Sequence, residues 1–166
     1  SGASPPLVGG VWLGSDDLQM MVARDEPGST RGLFVSAWGG HNAQSHNHND
    51  VGNVVVFADG QPVLVDLGAP TYAAQTFSSR RYEIPAMQSD FHNLPTINGV
   101  QQAAGREFAA RQVACHLSDS AAELTMDIAA AWPINAAVKS WRRTVRLERG
   151  REVVIDDDFE LTQVLG

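Results

Sequence analysis

The sequence predicts an all-β fold, a layered antiparallel β-sandwich formed by a single domain over residues 1–166. Short segments rich in Val, Ile, Leu and Phe recur along the chain, separated by Gly, Pro, Asp and Ser, as strands joined by turns are. Apolar residues at helical spacing are scarce, so we expect one short helix at most. The length of 166 residues suits one domain with its own core.

Eight segments have the composition of strands, and a long irregular loop divides them into two groups. The loop covers residues 68–93, and its only candidate helix is at residues 76–82. Loops of this length in compact domains are commonly functional. The predicted strands are residues 19–23, 33–38, 53–58, 62–67, 107–116, 123–130, 141–148 and 152–159.

Two hairpins are indicated by their turn residues. Asp59-Gly60 separates the apolar runs at residues 54–58 and 63–65, and Asp-Gly suits a two-residue turn. Because both runs are continuously apolar, we expect these strands to be buried on both faces. Arg149-Gly150 indicates a second hairpin near the end of the chain.

Composition excludes several classes of protein. Twelve basic and nineteen acidic residues give a net charge of −7, which argues against general binding to nucleic acid. No apolar run approaches the roughly 20 residues that cross a bilayer, so we expect no membrane span. Cys115 is the only cysteine, so no intrachain disulfide can form. Because the chain starts at Ser1 without an initiator methionine, we expect it to be a piece excised from a longer protein.

The most informative segment is residues 45–50, with the sequence SHNHND, because four of the five histidines lie between His41 and His92. In an extended chain, His46 and His48 point to the same side, about 6–7 Å apart at Cα. Imidazole binds zinc and also transfers protons near neutral pH. The alternative is a polar surface loop whose side chains satisfy backbone groups.

Asp66 strengthens the functional interpretation. It ends an otherwise apolar strand, where a carboxylate is costly unless it is paired or bound to a metal. His92 lies in the long loop and is free to approach. Together His48, Asp66 and His92 form a three-ligand set that suits zinc.

Hairpin counting raises a difficulty for this ligand set. A two-residue turn pairs Asp66 with Asn53, which lies roughly 16 Å from His48 by strand rise. Coordination therefore requires the chain to bend back, for example at Gly52. Otherwise Asp50 is the carboxylate ligand.

Arg80, Arg81 and Tyr82 form a second candidate cluster in the same loop as His92. Arginine binds carboxylates bidentately, and nearby cations stabilise a tyrosine phenolate. The alternative is a tyrosine that packs the loop onto the sheet beside two exposed arginines. We expect Arg80 and Arg81 to bind substrate.

Three blocks of the sequence resemble the heparinase II/III-like polysaccharide lyases. They are residues 46–52 (HNHNDVG), 58–68 (ADGQPVLVDLG) and 87–99 (MQSDFHNLPTING). The resemblance is clear over residues 39–100. It implies an N-terminal toroid of α-helical hairpins, outside this chain, followed by a layered β-sandwich of which this chain is the first part.

The resemblance also implies the chemistry. Uronic-acid-containing polysaccharide would be cleaved by β-elimination in a cleft that contains His46 and Tyr82, with Tyr72 as the alternative tyrosine. Zinc would be held by His48, Asp66 and His92. The remaining catalytic residues would belong to the toroid, so we expect this chain alone to be inactive. A periplasmic or secreted location follows from the resemblance only.

Two other functions stay open at this point. In a metal-dependent hydrolase, zinc would activate water rather than organise a cleft. In a non-catalytic carbohydrate-binding module, His46 would be dispensable. The products distinguish the lyase from the hydrolase, because elimination leaves an unsaturated sugar and hydrolysis does not.

Overall fold

The computed structural model describes residues 7–15, 17–68, 71 and 73–164, and Tyr72 lies outside them. Within this part of the chain there are eleven strands and six 3-10 helices. The strands are β1 Gly10–Gly14, β2 Gln19–Arg24, β3 Leu33–Trp38, β4 His41–Asn42, β5 Val54–Ala58, β6 Gln61–Leu64, β7 Gly105–Ala109, β8 Arg111–Leu117, β9 Ala121–Asp127, β10 Val138–Glu148 and β11 Glu152–Leu161. The 3-10 helices are Ala74–Phe77, Arg81–Glu83, Pro85–Met87, Ser89–Phe91, Ala129–Ala131 and Ile134–Ala136.

Antiparallel sheets make up the fold, which confirms the predicted all-β sandwich. In the described residues, one sheet has the order β1-β2-β3-β5-β6, a second has the order β11-β10-β9-β8, and β4 pairs with β7. None of the helices in these ranges is long and apolar enough to cross a bilayer.

The core lies between the two larger sheets. Alternate side chains of each strand face inward, because successive residues of a strand point to opposite faces. This alternation is regular in β10, where every second residue from Trp141 onward is buried. Fully buried core residues from the two sheets include Met21, Ala23, Val35, Ala37, Leu124, Met126, Val145 and Leu147.

The β5–β6 hairpin has the predicted Asp59-Gly60 turn. Both residues have positive φ, 51° and 74°, as a primed two-residue turn requires. The expected register fails one step later, because the pairing shifts between Phe57 and Val56, and β6 ends at Leu64. Burial of β6 on both faces was also wrong. It is an edge strand, and Val63 is 65% exposed.

Other boundaries differ from the predicted ones in ways that the sequence pattern does not reveal. The single strand expected at residues 107–116 is two strands, β7 and β8, broken at Ala110. The short strands β1 and β4 were not predicted. The helix expected at residues 76–82 is replaced by two separate 3-10 helices, Ala74–Phe77 and Arg81–Glu83.

Candidate metal centre and cleft

The histidine segment is folded back on the first sheet by a reversal at Gly52. Gly52 has φ of +89°, and the backbone N–H of Asn53 donates to the carbonyl of Asp50 at 3.0 Å. The bend that the ligand set requires is therefore present. Asp50 and His48 precede it, and their side chains lie close to His92.

Two buried side-chain amides, those of Asn42 and Gln102, also hold the turn in place by hydrogen bonds. Gln102 binds both backbone groups of Val51, accepting from its N–H at 3.1 Å and donating to its carbonyl at 2.8 Å. Asn42 donates to the Gln102 side chain at 3.0 Å and accepts the backbone N–H of Asp50 at 3.2 Å. Since Asn42 and Gln102 are almost fully buried, these bonds form away from water and hold the segment rigidly.

Three side chains that can bind a metal converge beside this turn. One ligand atom from each of His48, Asp50 and His92 lies within 4.8 Å of the others. The rings of His48 and His92 are 5.1 Å apart at their centroids. Two imidazoles and a carboxylate are a donor set that zinc accepts.

Asp66 joins this group through His92. Its Oδ2 lies 2.9 Å from His92 Nδ1, and the other ring nitrogen, Nε2, lies 3.1 Å from the carbonyl of Ala86. If Nε2–H donates to that carbonyl, a neutral ring presents a lone pair at Nδ1 directly to a carboxylate oxygen. Two acceptors at this distance need a cation between them, either a proton on Nδ1 or a metal ion. The residues present therefore fit a bound zinc ion.

Asn53 connects the two parts of the site. Its Nδ2 donates to Asp66 Oδ2 at 2.7 Å and lies 3.3 Å from His92 Nδ1. Its Oδ1 accepts the backbone N–H groups of Val54 and Asn93. Hairpin counting placed Asp66 opposite Asn53, and although β6 ends before Asp66, the side chains still meet.

Burial and hydrogen bonding shift the pKa values of the two carboxyl groups in opposite directions. Burial raises the pKa of Asp50 to about 6, and the hydrogen bond from the Trp38 indole, 3.0 Å long, opposes this only in part. Burial also acts to raise the pKa of Asp66, but hydrogen bonds, first of all from His92, outweigh it and keep that pKa below its ordinary value. For His48, burial and the charge of His92 lower the pKa.

A cleft of about 290 Å³ opens beside the metal-binding group. His46 reaches it from a backbone with φ of +63°, and its ring lies 5.8 Å from the ring of Phe77. The cleft thus combines an exposed histidine, a lining of mostly polar residues and the edge of the donor cluster. It is lined by Leu18, Met20, Trp38, Gly39, His41, Gln44, Ser45, His46, Asn47, His48 and Asp50.

The second predicted cluster touches the same segment through Asn47. The Tyr82 hydroxyl donates to Asn47 Oδ1 at 3.2 Å, and the Arg81 guanidinium donates to the Asn47 carbonyl at 2.6 Å. The side chain of Arg80 is 71% exposed and forms an ion pair with Glu83 at 2.7 Å. The two candidate clusters are therefore in contact, although the contacting residues are 34 and 35 positions apart in the sequence.

Sequence reasoning found the histidines and Asp66 but missed the amides that arrange them. Asn42, Asn53 and Gln102 are ordinary polar residues in the sequence, and their positions next to strands carry no specific signal. Asp50 was weighed only as a replacement for Asp66, whereas the structure brings both carboxylates to His92.

Comparison with known proteins agrees with the predicted resemblance. No curated protein matches the chain significantly. The model of the family described as Heparinase II/III-like, C-terminal, matches residues 30–163, which include strands β3 to β11 and all the candidate site residues. The chain therefore belongs to the Heparinase II/III-like C-terminal family, a family of polysaccharide lyase domains.

Proposed function

We propose that the chain is the zinc-containing sandwich domain of a lyase that cleaves uronic-acid-containing polysaccharide by β-elimination. The observation that carries this proposal is the close approach of His48, Asp50, Asp66 and His92 next to a cleft that contains His46. Membership of the family supports the reaction class. We also propose an N-terminal toroid of α-helical hairpins in the same protein and a periplasmic or secreted location.

The proposed zinc ligands are His48, Asp66 and His92. When bound, zinc would supply a fixed positive charge that organises the ligand loops. Asp50 lies close enough to replace or join Asp66 as the carboxylate ligand. The carbonyl of Ala86 orients His92 from behind, at Nε2, and Asn53 orients Asp66 through Oδ2, and such supporting groups commonly affect metal affinity 10–100-fold.

In the proposed reaction, His46 removes the proton at C5 of the uronate. The C5–H electrons form the C4–C5 double bond, the bond from C4 to the glycosidic oxygen breaks, and that oxygen takes a proton from Tyr82. The uronate carboxylate must be neutralised for C5 to lose its proton. We assign this contact to Arg80, whose guanidinium is exposed, with Arg81 adding positive charge nearby.

Metal analysis of the purified chain tests the ligand set. We expect about one zinc per chain in the unaltered protein and a large loss in the His48→Ala and Asp66→Ala variants. His116→Ala is the matched control, because His116 is exposed on β8, far along the chain from the site. Unchanged zinc content in both ligand variants would remove the proposed site.

Product analysis tests the reaction in the parent protein. Cleavage of a uronate polymer by elimination produces ultraviolet absorbance from the new conjugated double bond, and His46→Ala should lower that rate roughly 100-fold or more. A hydrolase would release reducing ends without this absorbance. A non-catalytic binding module would keep full activity in the parent protein when His46 is replaced.

A further inference from the structure

Arg81 is the part of the site that this assignment leaves largely unexplained. Its guanidinium donates to the Asn47 carbonyl at 2.6 Å and contacts Met87 Sδ at 3.6 Å. The guanidinium carbon lies 5.3 Å from the centre of the Tyr82 ring. Its Nε is buried without a hydrogen-bond partner, and no carboxylate among the described residues pairs with it.

The neighbouring arginine behaves differently. Arg80 is exposed and pairs with Glu83, as an ordinary surface arginine does. The guanidinium of Arg81 lies inside the loop and donates to the backbone carbonyl of Asn47. A hydrogen bond from a charged donor is roughly twice as strong as a neutral one.

Asn47, whose carbonyl accepts from Arg81, lies between His46 and His48 in the sequence. Asn47 is bound at its carbonyl by Arg81 and at its side-chain oxygen by Tyr82, while its own Nδ2 donates to the carbonyl of His48 at 2.7 Å. His46 has φ of +63°, a conformation that costs a non-glycine residue free energy and persists only where the surroundings enforce it.

We infer that Arg81 is a positioning residue that holds the Asn47 carbonyl and thereby fixes the directions of His46 and His48. This inference rests on the proposed function, because it assigns His46 to the cleft and His48 to the metal. It makes Arg81 a support for the histidine segment rather than a direct ligand of substrate carboxylate.

The experiment compares Arg81→Met with Arg80→Met in the same chain. Zinc affinity is measured by competition with a chelator, and backbone hydrogen–deuterium exchange is measured for residues 45–50. We expect Arg81→Met to weaken zinc binding roughly tenfold or more and to speed exchange in that segment, as loss of an orienting group does. Arg80→Met should change zinc affinity less than twofold and leave the exchange unaltered.

Arg81→Lys distinguishes a positioning role of Arg81 from a general folding defect. Lysine keeps one charged donor that can reach the Asn47 carbonyl, so it should recover part of the zinc affinity that methionine loses. Circular dichroism and urea unfolding of each variant show whether the sandwich is intact. If Arg81→Met leaves both zinc affinity and exchange at residues 45–50 unchanged, the inference is wrong.

Failure of the proposed function gives a different result. If the unaltered chain binds no zinc, the metal assignment falls, and the exchange measurement alone decides the role of Arg81. In the parent protein, a positioning role lowers kcat as well as zinc affinity, whereas a role in binding uronate carboxylate raises KM with zinc affinity unchanged. The second pattern would overturn the inference.

Discussion

At the level of single residues, Asp50 carries an unfavourable charge. Its carboxylate is buried against Trp38 and next to His48 and His92, and burial raises its pKa from the ordinary 3.8 to about 6. In the metal-free protein the folded state therefore binds this proton more tightly than the unfolded state does. A metal ion at this position would remove the penalty by pairing with the charge.

The pH dependence of stability follows from this pKa. Because the folded pKa exceeds the unfolded one, the contribution of Asp50 to stability is complete below about pH 4 and is lost as the pH rises to about 6. The loss is of order 2–3 kcal/mol. With zinc removed by chelator, Asp50→Asn should gain stability relative to the unaltered chain between pH 4 and pH 7. Urea unfolding at each pH measures the difference, and a constant difference would contradict the prediction.

Asn53 is not itself a proposed ligand, but its loss should damage the site because it binds Asp66. It is completely buried, and its amide binds Asp66 and two backbone N–H groups. Asn53→Ala leaves those groups unpaired, so we expect a loss of about 2–4 kcal/mol in the free energy of unfolding. Asn135→Ala, at an exposed position, is the control and should stay within about 0.5 kcal/mol. An equally small effect at Asn53 would show that water replaces its bonds.

The sequence could predict the chemically distinctive members of the site but not their supports. Histidine and a carboxylate at the end of an apolar strand stand out because few structural roles require them. Asn53 and Gln102 do not stand out, because their importance depends on partners 13 to 51 residues away. Such partners become visible only when the fold has placed them.

At the level of elements, the reversal between β4 and β5 depends on Gly52. A Cβ there would combine a positive φ of +89° with contacts of 3.1 Å to two carbons of Ile128. Gly52→Ala should therefore destabilise the fold by about 1–3 kcal/mol from backbone strain, with an additional penalty from crowding. It should also weaken zinc binding, because the reversal carries Asp50.

Gly99→Ala is the matched control for this turn. Gly99 has a similar φ of +72°, but no atom lies within 4 Å of a Cβ placed there. The difference in unfolding free energy between the two variants therefore reports the crowding against Ile128. Equal values would mean that Ile128 moves aside without cost.

The hairpin of β5 and β6 shows what local pattern can and cannot predict. The Asp59-Gly60 turn was correct because its backbone conformation is set by those two residues alone. The register shift at Val56 and the exposure of Val63 were missed because an apolar run has the same sequence pattern in an edge strand as in a central strand. Edge position is decided by the order of all the strands.

At the level of the whole molecule, Arg143 joins the second sheet to the site. From β10 its guanidinium binds both carboxylate oxygens of Asp157, and its NH1 donates to the carbonyls of Gly52 and Asn93. Burial acts to raise the pKa of Asp157, but Arg143 and Trp141 outweigh burial and keep it below the ordinary value. One buried cation therefore supports both loops that carry the candidate ligands.

Replacement of Arg143 tests this connection. Arg143→Met leaves the Asp157 carboxylate half-buried and unpaired, so we expect a loss of about 3–5 kcal/mol in unfolding free energy and weaker zinc binding. Arg142→Met, one residue earlier on the exposed face of the same strand, should have little effect on either. Chemical unfolding and chelator competition measure the two quantities, and similar results for both variants would contradict the assigned role.

The reach of Arg143 also has a consequence for the order of folding. Its bonds to Gly52 and Asn93 join residues 91 and 50 positions apart, so they form only after the two sheets have come together. We therefore expect the proposed ligands to acquire their arrangement late, after the folding barrier is crossed. Zinc should then slow unfolding in stopped-flow experiments while leaving the refolding rate nearly unchanged. The metal would stabilise a sandwich that has already formed, and would not nucleate its folding.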